Sequence, residues 1–574
     1  MQMESAQNQH SGADSPELLR FEKLRRYFRD RRAPYKIVGG KMGFVTTAAA
    51  QSPLDRSISK SEFSSRLRAS LAEEIQYEST DGFADRHPRE SARDVIDGSM
   101  AARTGMIFAL LVGACLLSFQ VSIAILILST SSYFLAVAVL RIFLAMTAHA
   151  HQTPNPPLRL SCEQLPTITI LAPLFREAHA LPGLVAAIGR LDYPHEKLDV
   201  KLLLEECDAE TRREAKRLNL DDRFDIVVVP PSHPQTKPKA CNYGLACARG
   251  DLIVIYDAED EPEADQLRMA AEIFDDAEEG LACLQARLNY YNPEENWLTR
   301  LFTIEYCLWF DHFLPALDRL GAPAPLGGTS NIFKTDILVE VGGWDPYNVT
   351  EDADLGLRLA RRGFRTAIID STTFEEANCR TGNWMRQRSR WMKGFLQTWL
   401  VHRRNLSERT RNWRTTLSID FFIGGTVFAA LINPILWAVL IAEHATGYTP
   451  LTFFPGPVQA FNLAALAFGN LSFIALAAYA PCRRGLWRLS PAALLMPVYW
   501  IMMSIAAWRA VIQLIDRPSF WEKTDHGLSG EAQARRTAAL AACGLEPDPG
   551  ASQFTDTVGD AQHARRSQWE KPIE

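Results

Sequence analysis

Apolar residues are unevenly spread along this chain, and their spacing divides it into regions. From Thr104 to Leu140 there is no charged residue, and the apolar run continues to about Thr147. One membrane span needs roughly 20 residues, so this run predicts two helices joined by a tight turn between Ser118 and Ser132. Three further apolar stretches follow Arg414, at about Leu417 to Ile441, Ala460 to Ala480 and Pro491 to Ile515. Between the two groups, short apolar runs alternate with helical spacing. Thr167 to Pro173, Val200 to Leu204, Ile226 to Val229 and Leu252 to Tyr256 read as buried strands, and Leu181 to Leu191 as a helix. Strands alternating with helices predict an α/β domain with a mainly parallel sheet.

Charge placement orients the apolar segments. The basic N-terminal segment predicts that the hairpin starts and ends in the cytoplasm. The cluster Lys23 to Arg32 has a thin apolar stripe and reads as a solvated tail rather than a membrane-surface helix. The loop from Glu443 to Phe461 has no lysine or arginine and is expected outside, whereas Arg483, Arg484 and Arg488 are expected inside. Pro497 and Arg509 interrupt the last stretch, and Arg517 and Lys523 follow it. It therefore reads as re-entrant or interfacial, which keeps the tail inside. The expected division is a largely disordered cytosolic segment (1–103), a transmembrane hairpin (104–147), a soluble α/β domain (160–410), membrane segments (415–516) and a cytosolic tail with a disordered end (517–574). Composition adds little to this. The net charge of −6 gives no reason to expect nucleic acid, and ten cysteines without a Cys-x-x-Cys pair read as reduced thiols. No apolar run follows the start, so no signal peptide is expected.

In parallel sheets, ligands bind beyond the carboxyl ends of the strands. Charged residues gather there: Arg176-Glu177, Glu205 to Asp208, and Asp257-Ala-Glu-Asp260. A carboxylate pair on one loop can hold a divalent cation against a diphosphate; taken alone, the motif is an ordinary solvated acidic turn. Leu326-Gly-Gly-Thr-Ser-Asn331 lets backbone approach a ligand, and no Gly-Lys-Ser/Thr follows to make a P-loop. Asn348 to Gly363 is a loop entering a helix, with Thr350 and Asp352 at its start. By itself this is a helix cap with an acidic first turn. Gln387-Arg-Ser-Arg-Trp391 changes that reading. It sets an amide, guanidinium and indole at helical spacing, where arginine suits a diphosphate and the indole a sugar face.

Thr350-Glu-Asp352 and Gln387 to Trp391 together resemble family 2 glycosyltransferases of the cellulose-synthase-like, membrane-embedded kind, over roughly Leu165 to Leu406. The resemblance implies a cytosolic, mainly parallel-sheet GT-A-like domain flanked by transmembrane helices. It implies Asp352 as general base, with Asp257, Glu259 and Asp260, in that order, as ligands of Mg²⁺ or Mn²⁺. The family's Asp-x-Asp has Glu259 at its third position here. Lys237-Pro-Lys-Ala-Cys-Asn242 is similar to the family's Lys-Ala-Gly-Asn element, which makes Lys239 and Asn242 candidates for the nucleotide-sugar pocket. Glu206 and Asp208 compete for the uracil or ribose. Gly328 and Thr329 would lie under the acceptor sugar, Arg390 on the diphosphate with Arg388 beside it, and Gln387 and Trp391 at the acceptor end. Arg517 to His526, with two aromatics beside Lys523 and Thr524, either gates the site or anchors at the membrane edge. The implied activity is inverting transfer from a nucleotide sugar, UDP-glucose first, to a growing β-linked polysaccharide. The implied setting is a multi-pass inner-membrane protein with a cytoplasmic catalytic domain, partnered by the growing chain, the membrane and further export subunits. The rivals are single transfer to a polyprenyl phosphate or other lipid, a mannan synthase using GDP-mannose, and a sugar-nucleotide binder without chemistry. One electrostatic question stays open at this point. A helix N-terminus lowers the pKa of Asp352, while Glu351 and Asp354 raise it.

Overall fold

A computed structural model describes residues 35–38, 41–44, 68–96, 98–149, 158–404, 413–446 and 456–542. The basic cluster Lys23 to Arg32, the core of the loop expected outside (447–455) and the chain end beyond 542 lie outside the described residues. A short hairpin, β1 (Tyr35–Val38) and β2 (Lys41–Phe44), precedes the main domain.

The main domain is built on one eight-stranded sheet. Its strands are β3 (Ile168–Leu174), β4 (Leu198–Glu205), β5 (Phe224–Val229), β6 (Leu252–Ile255), β7 (Glu261–Pro262), β8 (Leu281–Tyr290), β9 (Asn331–Lys334) and β10 (Arg365–Glu375), in the order β5-β4-β3-β6-β9-β8-β10-β7. Strands β3 to β6 fall where the apolar runs predicted them, and they pair in parallel. β4 is buried at every position, as a strand covered on both faces requires. β9 runs antiparallel between β6 and β8, which makes the sheet mixed, and β8 pairs in parallel with β10. Helices cover both faces. Leu181–Gly189 and Gln266–Asp275 close one apolar layer, and Lys237–Ala246 with Glu351–Arg361 close the other.

The described part of the N-terminal segment, from residue 68 on, differs from expectation. Its residues 72–80 and 82–86 are helical and dock on the α/β domain instead of trailing as a disordered tail. Polar pairing as well as apolar burial holds them there, which hydrophobic periodicity does not register. Arg68 bonds Asp225 at 2.7 Å, the Ala92 N–H donates to Asp345 at 2.5 Å, and Phe83 is fully buried against the Arg358 guanidinium.

Among the described residues, five helical stretches are long and apolar enough to cross a membrane: Met100–Leu117, Val121–Ala148, Thr415–Ala438, Gly456–Arg484 and Trp487–Asp516. The first two are divided at Ser118. The last is composite, a tight helical stretch from Trp487 to Leu495 followed by the helix Met496–Asp516. That helix lies along Thr381–His402 of the α/β domain: Tyr499 meets Trp384 at one end, and Leu514 packs near Val401 at the other. Its other side exposes Val498, Ile501, Ile505, Trp508, Ile512 and Ile515, an apolar stripe at helical spacing.

Candidate active site

The carboxyl ends of the strands open onto a cavity of about 370 Å³. Asp257 reaches it from the loop after β6, Asp352 from the helix Glu351–Arg361, and Arg390 from the helix Thr381–His402. These residues lie far apart in the chain, and close packing between their elements aligns them. Gly394 faces Thr350 so closely that an added Cβ would sit 2.4 Å from the threonine methyl. The glycine therefore lets the Gln387–Trp391 helix seat against the entrance of the Asp352 helix. The Thr350 side chain makes no capping hydrogen bond, so the ordinary helix-cap reading of this motif does not hold. Asp354 stabilises the helix from behind, bonding Arg358 at 2.7 Å and His402 at 2.8 Å.

Asp352 is half-buried, and Oδ1 accepts the Ala353 N–H at 2.8 Å. A Cβ on Gly328 would lie 3.5 Å from its Oδ2, which places the glycine loop directly against the carboxylate. Burial pushes the Asp352 carboxyl up to about 6; the Ala353 N–H, Lys237 and Arg390 pull the other way without cancelling this. Burial and then the Asp352 charge also push Glu351 upward. Desolvation thus decides the question that the sequence left open.

Lys237 Nζ contacts Asp257 at 2.5 Å and the Gly328 carbonyl at 2.7 Å, joining the acidic loop to the glycine loop. Burial lowers the Lys237 ammonium, but Asp257 and Glu351 more than offset this and hold it above its ordinary range. Glu259 is paired with His526 Nδ1 at 2.7 Å. Burial disfavours that imidazolium, yet Glu259 and Glu177 keep its pKa at about 9. Lys523 pairs with Glu177, and Arg386 with Asp525 at 2.8 Å. Residues 517–526 thus form a strap across the cavity mouth. Arg390 lies under it, with its guanidinium 4.5 Å from the Trp521 ring and a 3.2 Å bond to the Glu522 carbonyl. Arg390 Nε and Thr524 Oγ1 are buried without a hydrogen-bond partner among the described residues.

Residues 252–515 match the family model "Glycosyl transferase family group 2", and residues 169–333 match "Glycosyl transferase family 2". The chain belongs to glycosyltransferase family 2. It is 25% identical to the probable glycosyltransferase YdaM of Bacillus subtilis, over 42% of this chain and 57% of that one. It is 25% identical to a β-monoglucosyldiacylglycerol synthase of Synechocystis, over 45% and 54%. It is 23% identical to the probable glucomannan 4-β-mannosyltransferase 10 of Arabidopsis thaliana, over 53% and 56%. The chain spans about half the length of these curated relatives. Among solved structures, the mannosyltransferase PcManGT from Pyrobaculum calidifontis, in complex with GDP-Man and Mn²⁺, matches 69% of this chain and 99% of that one at 18% identity, with a TM-score of 0.46.

Of the residues singled out in this glycosyltransferase sequence, Asp257, Glu259, Gly328, Thr329, Asp352, Gln387, Arg388, Arg390 and Trp391 line the cavity. Five others do not. Lys239 is buried beneath the pocket on Glu205, at 3.0 Å, and on the Pro230 carbonyl, at 2.9 Å. Asn242 pins Trp344 through its backbone. Asp208 caps the next helix and accepts the Arg176 N–H, and Glu206 is exposed. Asp260 turns inward to Thr329 and the Asp257 N–H, at 2.7 Å for the latter, and burial pushes its carboxyl upward. Its Oδ1 stays buried and unpartnered. Asp260 thus shapes the acidic loop from below.

Arg388 lies on the wall but is committed elsewhere. It is 3% exposed, pairs with Glu305, bonds the Tyr499 hydroxyl at 2.9 Å and lies 4.4 Å from the ring centres of Phe302 and Trp391. It orients Trp391 rather than facing the ligand space. Lys237, Glu205 and Glu375 line the cavity without having been named as site residues, and His526 lines it at the end of the segment Arg517 to His526 that was expected to gate or anchor. Lys237 had a signal, since it shares a short cationic helix start with Lys239. Glu375 had none, because β10 reaches the cavity only through the tertiary fold.

The donor set fits a hard divalent cation only in part. Asp257 and Glu259 both face the cavity, but no group of three or more His, Cys, Asp or Glu side chains is arranged to hold a metal among the described residues. Two carboxylates suffice where a diphosphate supplies further oxygens, as Mg²⁺ bound to substrate phosphates commonly is.

Proposed function

We propose that this chain transfers a sugar, with inversion, from a nucleotide sugar to a growing β-linked polysaccharide at the membrane, with UDP-glucose as the favoured donor. One observation supports this above the others. The cavity that holds Asp257 and Asp352 continues past Tyr306, Trp391 and Trp309 to Phe422 and Phe473 of the apolar helices. A product chain lying on that aromatic wall would leave Asp352 directly toward the membrane. Tyr306 and Trp391 stack with ring centres 6.4 Å apart, giving a flat face of the kind that carries a sugar ring.

In this mechanism Asp352 accepts the proton from the acceptor hydroxyl as that oxygen attacks the anomeric carbon, and the bond from that carbon to the diphosphate breaks. The raised carboxyl pKa brings Asp352 closer to working pH while leaving it mostly ionised. Arg390 receives the leaving diphosphate, and Lys237 holds Asp257 and the glycine loop in register. Asp257 and Glu259 would hold a Mg²⁺ or Mn²⁺ ion, which supplies positive charge beside that diphosphate. The catalytic domain is assigned to the cytoplasm of an inner-membrane protein. The helix Met496–Asp516, with one side on the domain and an apolar stripe on the other, supports the interfacial reading of the last segment.

A second reading is single transfer to a lipid. The phenylalanines and leucines of the inner cavity wall and the similarity to a β-monoglucosyldiacylglycerol synthase favour it. GDP-mannose is the donor to test beside UDP-glucose, given the similarity to a glucomannan mannosyltransferase. Membranes incubated with a panel of labelled nucleotide sugars separate these readings. Label in a glycanase-sensitive polymer supports the first, label extracted into organic solvent supports the second, and no label with any donor refutes both.

A further inference from the structure

Arg141 lies on the apolar span Val121–Ala148, a position where an ionised side chain is costly without a partner. The end of this helix is tied to the soluble domain: the Thr147 and Ala148 carbonyls accept from Arg319 at 2.6 and 3.2 Å. Seven residues earlier, at 1.5 Å per residue, Arg141 sits roughly 10 Å deeper along the helix. Among the described residues, no carboxylate and no hydrogen-bond acceptor contacts its guanidinium; its neighbour is the Phe473 ring, 4.6 Å away. The other cations of the catalytic cavity are engaged: Lys237 by Asp257, Lys523 by Glu177, Arg388 by Glu305, and Arg390 by the Glu522 carbonyl.

Arg141 also lines a second cavity, of about 170 Å³, set among the apolar helices. Val137, Glu305, Thr426, Phe473 and Met503 line both cavities with it, so the guanidinium stands where the two meet. Glu305 cannot serve as its counter-ion, because Arg388 and the Tyr499 hydroxyl hold that carboxylate. The second cavity carries one more unmet polar group. Asn433 donates to Asn470 at 3.3 Å, but its own Oδ1 is buried with no donor. Ala138, Leu466 and Leu476 supply apolar wall around it.

We propose that Arg141 binds the phosphate of an anionic phospholipid whose headgroup lies at this junction. A neutral glycan would leave the guanidinium charge uncompensated in an apolar setting, whereas a phosphate matches both its charge and its forked donors. A headgroup hydroxyl would meet Asn433 Oδ1, and an acyl chain would run along the apolar wall. This proposal is independent of the donor sugar, because it is tested without any nucleotide sugar.

The test is native mass spectrometry of the purified full chain, exchanged into detergent with equimolar phosphatidylglycerol and phosphatidylcholine. The wild type is expected to retain phosphatidylglycerol at least tenfold over phosphatidylcholine. Arg141→Gln should lose that preference, and Arg141→Lys should keep part of it, as a charge without the fork. Equal retention of the two lipids by the wild type overturns the site, as does undiminished phosphatidylglycerol retention by Arg141→Gln. Should Arg141→Gln fail to fold, the wild-type lipid preference and Arg141→Lys still decide the matter.

Discussion

Replacing Asp352 by asparagine isolates the proton-accepting role of this carboxylate. The amide keeps the shape, and its oxygen can still accept the Ala353 N–H that now bonds Oδ1 at 2.8 Å. The helix start, the Gly394–Thr350 contact and the Arg390 side chain are untouched, so nucleotide-sugar binding should survive. Loss of a general base costs about 10²–10⁴-fold in turnover. The pH profile sharpens the expectation. Burial holds the wild-type carboxyl at about 6, and the reaction needs its ionised form. Activity should therefore be nearly full above pH 7 and fall as pH drops through about 6. With a single ionisation, roughly nine-tenths of the sites are active at pH 7 and one-tenth at pH 5. The assay is release of nucleoside diphosphate by purified protein across pH 5–9, with donor binding followed separately by calorimetry. Asp352→Asn should lose turnover, retain binding, and show no acid limb near pH 6 in its residual rate. A variant within tenfold of the wild type, or one that keeps the same acid limb, would refute the assignment.

Asp257→Ala should remove both activity and the response to added Mn²⁺; a variant that still responds as wild type moves the metal elsewhere. Arg388→Met should act on stability rather than on donor binding, since it strands Glu305 beside Tyr499. Partial exposure of Glu305 sets the cost near the low end for a broken buried pair, about 3 kcal/mol, read as a lowered unfolding midpoint in detergent. Lys523→Ala breaks the strap's contact with Glu177 and should lower turnover, whereas unchanged turnover would mean that the strap only anchors the chain. Ser519→Cys, with the native cysteines replaced, should react with a membrane-impermeant maleimide in inverted vesicles and not in intact spheroplasts; labelling from outside would reverse the assigned topology.

The pattern of apolar positions was enough to locate the elements. β3, β4 and β6 are apolar runs bounded by charge, and a strand buried on both faces has no other way to be written. The helices long and apolar enough to cross a membrane are legible for the same reason, because apolar length is itself the physical requirement for a span. Asp352, Arg390 and Trp391 were legible too, because each sits in a short local motif with the spacing of one helix. What depended on distant parts of the chain was not. Lys239 and Lys237 look equivalent in sequence; the fold buries the first on Glu205 and turns the second onto Asp257. Arg388 and Arg390 lie two residues apart, and helix geometry sends one to Glu305 and the other to the cavity. His526 reaches Glu259 across 267 residues, an ion pair with no local signature. The upward shift of Asp352 likewise comes from burial by surrounding elements, which overrides the helix-terminal effect its own segment predicts. Periodicity records which side of an element faces the core, whereas partners and desolvation depend on what the rest of the chain packs against it.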